Sequence, residues 1–471
     1  MVTHEQIWQI FIENREAVVA ALKEGKCDGI LPAARGFLDG FAEFLLEARV
    51  LAVLDQFPDP RTRRSIPIFF FCNTLVYRPL FHLSRLAHIG PVLFRSPYIL
   101  RQLGFNARQI EEGFYQTEGG QRPFDEEAIA ECFARAQAED FLDNQKAMLK
   151  QLVSYFPGQF REGVWVMDSV HFSTPRGNWI AAGNYKACVL GVLQDTTVWP
   201  MLWLLGDADP HETMVGKKLL AAAEEVLGPG FIRRLLLDRG YIDGPWLTEL
   251  WRQGTQVTIG VREDMLILEE MCNLTRLPDT VWEEVPPPKN HEDPPPRREI
   301  AGFKDLSREW SECQAPLSGC LIKDTYPDRV VYQGMIMTAE KADARSIYDG
   351  RGKRWTLEEV YMTLTRYWQF DNLPPCRRGV AFAWVHFTFL AFTLLGLYHQ
   401  ETEEGEEEPT TLNAGPPPVP MPECELAVYA GPYFTLLLPS ELMQIVLTYI
   451  DAWKANQEQL IISLRLCEGL T

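Results

Sequence analysis

The 471-residue sequence lacks the cysteine spacing of a zinc module or a disulfide-rich domain. Its ten cysteines are scattered, and the closest pair, Cys313 and Cys320, is separated by six residues. Zinc fingers and disulfide frameworks both need cysteines at short, regular intervals. The pattern excludes these classes and indicates free, buried thiols in a reducing compartment.

The sequence also lacks an excess of positive charge, since 45 Lys and Arg stand against 64 Asp and Glu, giving a net charge of −19. A nucleic-acid-binding protein is expected to present a basic surface. The acid is unevenly distributed, however. Residues 399–425 hold eight Glu and no Lys or Arg, whereas residues 346–398 hold six Lys or Arg against four Asp or Glu. Charge therefore weakens a nucleic-acid-binding function without excluding it, because whole-chain charge does not determine the field in one groove.

One hydrophobic run, residues 381–398 (AFAWVHFTFLAFTLLGLY), is about long enough to cross a bilayer. It contains His386 and two threonines, and it stands alone without flanking membrane signals. We interpret it as a buried core helix and expect no membrane partner.

The order of the remaining apolar segments indicates the fold class. A helix is predicted over 211–227 and a shorter one over 244–253, with strands before, between and after them. The predicted strands are 164–170, 185–193, 198–205, 231–237 and 256–262. Three strands, a helix, a strand, a helix and a strand is the order of an RNase-H-like α/β core.

The rest of the chain divides around that core. The predicted segments are a helical N-terminal domain (1–155), the first part of the core (160–262), an inserted β-rich subdomain (263–345), the second part of the core with a helix from about 356 (346–398), an acidic and proline-rich linker (399–422) and a C-terminal segment (423–471).

Three acidic residues carry the candidate chemistry. Asp168 and Asp238 each follow an apolar run of strand length, and Glu358 stands in a predicted helix downstream. Either aspartate alone is most simply a turn former. In an RNase-H-like sheet, however, the first and fourth strands are neighbours, so the two aspartates are expected to meet. Two strand-end carboxylates and a helical Glu predict a two-metal site for phosphoryl transfer, since Mg²⁺ prefers oxygen ligands.

The runs LLLDRGY (235–241) and KRWTLEEVY (353–361) resemble the DDE transposases of bacterial insertion sequences. The resemblance is to the subgroup with a β-rich insertion before the catalytic Glu and a Tyr-Arg-Glu-Lys signature, and it covers about 164–262 and 345–398. It implies that Asp168, Asp238 and Glu358 are the catalytic metal ligands, with Mg²⁺ as cofactor and Mn²⁺ as a substitute.

The signature is degenerate here. Its Arg falls on Arg354, its Tyr on Arg351 with Tyr348 out of register, and its Lys on Thr365 with Arg366 adjacent. Arg239, Tyr348, Arg351, Arg354 and Arg366 are the candidate DNA-phosphate contacts.

Two alternatives for the third acid are open. Counting from Glu359 puts Arg366 in the place of the signature Lys, and Asp371 fits if the helix register differs. The spacing from Arg354 favours Glu358.

The resemblance implies a DNA transposase that cleaves and joins phosphodiesters at the ends of an insertion sequence. It further implies double-stranded DNA as partner (element ends and target), a homodimer or larger assembly on paired ends, and a nucleoid-associated location in a bacterial cytoplasm. Residues 1–155 are assigned to DNA-end binding by elimination. The alternatives are a non-transposing metal-dependent nuclease of the same fold, or a transposase-derived, non-enzymatic interaction protein, which the net charge favours.

Overall fold

The protein has a mixed α/β fold with a large mixed sheet and many helices in a computed structural model of the chain. The structure describes residues 12–32, 37–62, 64, 66–95, 97–112, 115–117, 120–158, 160–161, 163–194, 197–287, 294–306, 310–371, 373–402 and 426–455. Most of the predicted 399–422 linker lies outside these residues.

The strands follow the chain as β1 (Ile12–Glu13), β2 (Gly29–Pro32), β3 (Tyr115–Thr117), β4 (Gly120–Arg122), β5 (Val164–Thr174), β6 (Gly183–Gln194), β7 (Thr197–Asp207), β8 (Arg234–Leu237), β9 (Gln256–Gly260), β10 (Trp282–Val285), β11 (Arg297–Phe303), β12 (Ser318–Thr325), β13 (Val330–Met337), β14 (Leu426–Ala430) and β15 (Tyr433–Leu437). The α-helices are Arg15–Lys23, Phe37–Glu47, Val50–Asp55, Ile68–Tyr77, Ile89–Val92, Pro97–Gln102, Ala107–Glu112, Glu127–Phe133, Ala138–Tyr155, Glu212–Leu227, Gly244–Arg252, Leu266–Leu274, Ala344–Tyr367, Arg378–Thr402, Pro439–Thr448 and Ile450–Lys454.

The chain forms two compact units, each assembled from separate stretches. The first unit comprises 1–47, 63–131 and 416–471, and the second comprises 48–62 and 132–415. Residues 138–155 bond within the second unit: Asn144 donates to the Val53 carbonyl (3.3 Å), and Gln145 accepts from the Trp203 amide (2.7 Å). The domain boundary at 155 stays a prediction.

The first unit contains a four-stranded sheet in the order β1-β15-β14-β2. The C-terminal hairpin β14–β15 pairs antiparallel with β2 and parallel with β1, so the two ends of the described chain share one sheet. An apolar cluster that includes Leu22, Val428 and Trp453 lies against this sheet. A second group of rings, centred on Phe105 and Phe124, packs elsewhere in this unit at centroid distances of 4.3–6.4 Å.

The second unit is built on a nine-stranded sheet in the order β10-β11-β12-β13-β9-β8-β5-β6-β7. Strands β5, β6 and β7 form an antiparallel meander, β8 lies parallel to β5, and β9 lies parallel to β8. Strand β6 is buried over eight successive residues, which explains its nearly continuous apolar run. The predicted order of strands and helices from 164 to 262 is confirmed.

The strands of the predicted insertion extend this same sheet. β13 pairs antiparallel with β9, with Ile336 opposite Ile259, and β12, β11 and β10 follow in turn. The insertion therefore continues the sheet rather than standing beside it.

The helix Arg378–Thr402 is a core element of the second unit. It is the one helix among the described residues that is long and apolar enough to cross a membrane, and its most apolar window is fully buried. Thr393 donates to the Pro200 carbonyl of β7 (2.6 Å), and Phe389 stacks near Trp203 with centroids 5.1 Å apart. His386 bonds to two buried amides, Gln145 and Asn144, and burial lowers its pKa to about 3.

Candidate active site

Asp168 and Asp238 are brought together by strand register. The parallel pairing of β5 and β8 runs from Val164 opposite Arg234 to Met167 opposite Leu237. Asp168 and Asp238 each follow the last residue of that pairing. β8 ends at Leu237, whereas β5 continues to Thr174, so Asp168 lies within its strand and not at the predicted strand end. The register of the parallel pairing places the two aspartates at corresponding positions.

Asp238 serves both as a turn former and as a member of the site. One carboxylate oxygen, Oδ2, accepts from the Gly240 amide (3.2 Å) and caps the short 3₁₀ helix Arg239–Tyr241. The other oxygen, Oδ1, lies 3.6 Å from the guanidinium of Arg354. A Cβ at position 240 would stand 2.0 Å from Glu212 Oε2, so a larger residue there would displace that side chain.

Glu358 reaches the same place from the helix Ala344–Tyr367, which we call the Glu358 helix. Arg354 stands one turn earlier, and its Nη2 lies 2.5 Å from Glu358 Oε1. The helix begins well before the predicted start near 356, because the Asp343 side chain caps it by accepting from the Ser346 amide (2.7 Å).

The guanidinium of Arg354 contacts all three carboxylates, which together with it we call the acid cluster. Besides its contacts with Glu358 and Asp238, its Nη1 lies 2.8 Å from Asp168 Oδ2. The side chains are 14% (Asp168), 32% (Asp238), 30% (Glu358) and 18% (Arg354) exposed, so the cluster is only partly screened by water. Three predicted acids from distant sequence positions therefore meet around one cation.

The electrostatics of Asp168 are unusual for a surface aspartate. Burial raises its pKa to about 7, although Arg354 and the Ser169 amide lower it; Asp238 and Glu358 raise it further. For Arg354, burial acts to lower the pKa, and the surrounding carboxylates outweigh it, so the pKa is raised. A carboxyl perturbed in this way beside a cleft is a functional-site candidate.

The cleft is a groove of about 470 Å³ lined in part by the acid cluster. Asp238, Glu358 and Arg354 border it from the core strands and the Glu358 helix, while Tyr332 and Gln333 border it from β13. The inserted strands therefore form one wall of the groove into which the cluster opens.

The predicted phosphate contacts occupy different positions. Arg239 and Arg351 line the groove along with Arg354, and Arg351 donates to Gln333 Oε1. Burial, reinforced by nearby Arg298, lowers the pKa of Arg351.

Tyr348 and Arg366 are not among the groove-lining residues. The hydroxyl of Tyr348 accepts from Arg298 (3.4 Å), and Arg366 lies exposed over the Tyr367 ring at 5.1 Å. Of the two alternatives for the third acid, Glu359 is half-buried on the Glu358 helix, and Asp371 lies exposed beyond its end. Glu358 is the residue of the three that pairs with Arg354 in this site.

Hydrogen bonds behind Asp168 hold its strand in place, and the sequence analysis did not identify them. Tyr361, also on the Glu358 helix, donates to the Asp168 carbonyl (3.2 Å). Tyr241 bonds to Ser169 Oγ (2.6 Å) and to Cys188 Sγ (3.2 Å). Tyr241 ends the run LLLDRGY and Tyr361 ends the run KRWTLEEVY. Their place in these two runs is the sequence signal that points to them.

The acid cluster offers the oxygen ligands that a hard divalent cation prefers. Within the described part of the chain, however, no group of three or more Asp, Glu, His or Cys side chains is arranged to hold a metal ion. The guanidinium of Arg354 stands among the carboxylates instead. The donor types suit a metal, but the arrangement around Arg354 does not.

Comparisons with known proteins give distant likenesses among solved structures. No family model matches the chain, and no curated protein matches it. Among solved structures, a piggyBac transposase synaptic complex with hairpin DNA is similar to 92% of this chain over 84% of its own chain, with a TM-score of 0.42 and 8% sequence identity. A likeness at this level says nothing about the chemistry of the groove.

Proposed function

We propose that the protein is a transposase that carries out metal-dependent phosphodiester cleavage and strand transfer on DNA. The observation that supports this is the meeting of Asp168, Asp238 and Glu358 around Arg354 at the edge of one groove. Turn formation or surface solvation does not require three acids from separate elements to meet.

The proposal includes an RNase-H-like core formed by β5 to β9 and the Glu358 helix. The strand order β9-β8-β5-β6-β7, with the first three strands in a meander, supports it. In that core Asp168 lies within β5, just beyond its pairing with β8, Asp238 directly follows the end of β8, and the glutamate stands on a helix packed against the sheet.

Asp168, Asp238 and Glu358 are the residues that would hold Mg²⁺, or Mn²⁺ in its place, in an arrangement in which Arg354 no longer stands between them. When bound, such ions supply activation of a water or 3′-hydroxyl nucleophile and stabilisation of the leaving oxygen. The chain's own contribution is to fix the three carboxylates and to line the groove with Arg239 and Arg351, whose guanidinium groups suit phosphate.

Double-stranded DNA is the proposed partner, both as element end and as target, with two or more copies of the chain on paired ends. A nucleoid-associated cytoplasmic location is part of the same proposal. Reading of the element ends is assigned to the N-terminal residues by elimination.

Cleavage of DNA carrying the terminal repeats that flank the gene tests the proposal. Asp168→Asn, Asp238→Asn and Glu358→Gln are each expected to abolish Mg²⁺-dependent cleavage, with DNA binding largely retained. Asp371→Asn is the matched control, because this exposed acid lies beyond the end of the Glu358 helix and is not part of the acid cluster. Full activity in any of the three cluster variants contradicts the assignment.

Two outcomes would favour the alternatives. Hydrolysis of a labelled end without its transfer into a plasmid would indicate a non-transposing nuclease. Absence of both cleavage and salt-dependent DNA binding would indicate a non-enzymatic interaction protein, the alternative that the net charge of −19 favours.

A further inference from the structure

Arg354 stands where a metal ion bound by the three acids would have to be. Its two terminal nitrogens contact one oxygen each of Asp168, Asp238 and Glu358 at 2.8, 3.6 and 2.5 Å. The carboxylates come from three elements, whereas the cation is a single side chain. The guanidinium is therefore the centre of the cluster rather than a member of its rim.

A guanidinium placed between these carboxylates and a divalent ion compete for the same position and the same negative charge. Mg²⁺ needs its oxygen ligands at about 2.0–2.1 Å in nearly ideal octahedral geometry. An arginine keeps its charge in proteins, so Arg354 repels an incoming cation at every accessible pH. With only 18% of the side chain exposed, solvent screens that repulsion less than it would at the surface.

The position of Arg354 is held by its own helix. Arg354 and Glu358 are four residues apart on one face of the Glu358 helix, so the ion pair between them needs no movement of another element. The guanidinium also borders the groove, so the side chain has open space beside it.

We propose that Arg354 is a built-in counter-ion that competes with divalent cations for Asp168, Asp238 and Glu358. A cation is bound only when the guanidinium leaves the carboxylates and turns toward the groove. Metal affinity without DNA is then weak because of Arg354, and not because a ligand is missing. The proposal rests on the proposed function only in its choice of cation, since the competition itself needs no DNA chemistry.

Calorimetric titration of Mn²⁺ into the DNA-free, full-length protein tests the competition. Arg354→Gln is expected to bind Mn²⁺ about tenfold or more tightly than the wild type, because a unit charge is removed at ion-pair distance. Arg345→Gln is the matched control. It removes an arginine from the same helix that pairs with Glu283 and Asp349 in the exposed region, and it is expected to leave Mn²⁺ affinity unchanged. Equal or weaker binding by Arg354→Gln overturns the proposal.

A second measurement needs no variant and so does not depend on whether Arg354→Gln folds. In the wild type, saturating Mn²⁺ is expected to raise the reaction of Arg354 with an arginine-specific dicarbonyl reagent several-fold, as read by peptide mass spectrometry. Arg345 serves as the internal reference. An unchanged or lower reactivity of Arg354 overturns the proposal.

The two proposals fail separately. In one outcome, Arg354→Gln binds Mn²⁺ more tightly, but neither the wild type nor the variant cleaves DNA. That outcome contradicts the transposase function and supports the competition. Cleavage by the wild type with equal Mn²⁺ affinity in both proteins does the reverse.

Discussion

Two arginine–carboxylate assemblies in the second unit differ in the balance of positive and negative charge. Between β11 and β12, Arg298 binds Asp324 through two parallel contacts of 2.6 and 2.5 Å, and the side chains are 4% and 2% exposed. One positive charge meets one negative charge there. In the acid cluster, one guanidinium meets three carboxylates, and all four side chains keep some contact with water.

The difference separates a structural ion pair, in which the charges balance, from a site in which the negative charges outnumber the positive charge. The Arg298–Asp324 pair, which we call the insert pair, satisfies both partners and is closed to solvent. The acid cluster carries more negative charge than its arginine neutralises and opens on a groove. Three carboxylates around one guanidinium favour its replacement by a cation of higher charge.

Breaking the insert pair is expected to have the largest effect on stability. Asp324→Ala leaves Arg298 charged and buried, which costs about 3–5 kcal/mol in the free energy of unfolding. Glu284→Ala is the control, because it breaks the exposed pair with Arg297 on neighbouring strands and should cost less than about 0.5 kcal/mol. Equilibrium urea unfolding measures both, and similar costs for the two would remove the contrast.

His386 is a buried titratable group that bonds to two neutral amides, Gln145 and Asn144. Its effect on the free energy of unfolding should therefore depend on pH. Because burial lowers the folded-state pKa of His386 to about 3, the unfolded chain binds this proton more tightly. Its contribution to stability is full above the ordinary value near 6.5 and is lost as pH falls toward 3. Between pH 6.5 and pH 5 the loss is roughly 2 kcal/mol.

His386→Gln should remove most of that loss, since an amide can bond to Asn144 and Gln145 without titrating. Unfolding free energies at the two pH values measure it. His171→Gln is the control because His171 is exposed on β5. An unchanged pH dependence in His386→Gln would show that another group is responsible.

Removing one carboxylate from the acid cluster is expected to have the smallest effect on the free energy of unfolding. Asp168→Asn loses a contact with Arg354 but also relieves repulsion from Asp238 and Glu358, so the free energy of unfolding should change by less than about 1 kcal/mol. The same urea titration decides. A cost as large as that of Asp324→Ala would mean that the cluster is a structural ion pair after all.

The sequence was most informative where local chemistry and strand register act together. Asp168 and Asp238 could be placed side by side because each follows an apolar run and because the first and fourth strands of the predicted sheet are neighbours, although β5 continues beyond Asp168. The spacing of four between Arg354 and Glu358 likewise predicts one helix face.

The pairing of strands that are distant in sequence could not be derived in the same way. Neither could the contacts that a side chain makes in the folded protein. Nothing local says that β13 pairs with β9 across the insertion, since the partner is fixed only in the folded sheet. Residues 125–156 have apolar positions at helical spacing throughout, yet they form two helices, Glu127–Phe133 and Ala138–Tyr155. The second begins where the Asp140 side chain accepts from the Gln137 amide (2.8 Å). Arg354 was expected to contact phosphate, and its pairing with carboxylates depends on what else reaches the groove edge.

Anomalous diffraction from crystals of the Arg354→Gln variant soaked in Mn²⁺ tests the central claim most directly. The account predicts a manganese peak coordinated by oxygens of Asp168, Asp238 and Glu358 together. Crystals in which these carboxylates are resolved but bind no manganese, or in which they stand too far apart to share an ion, would contradict it.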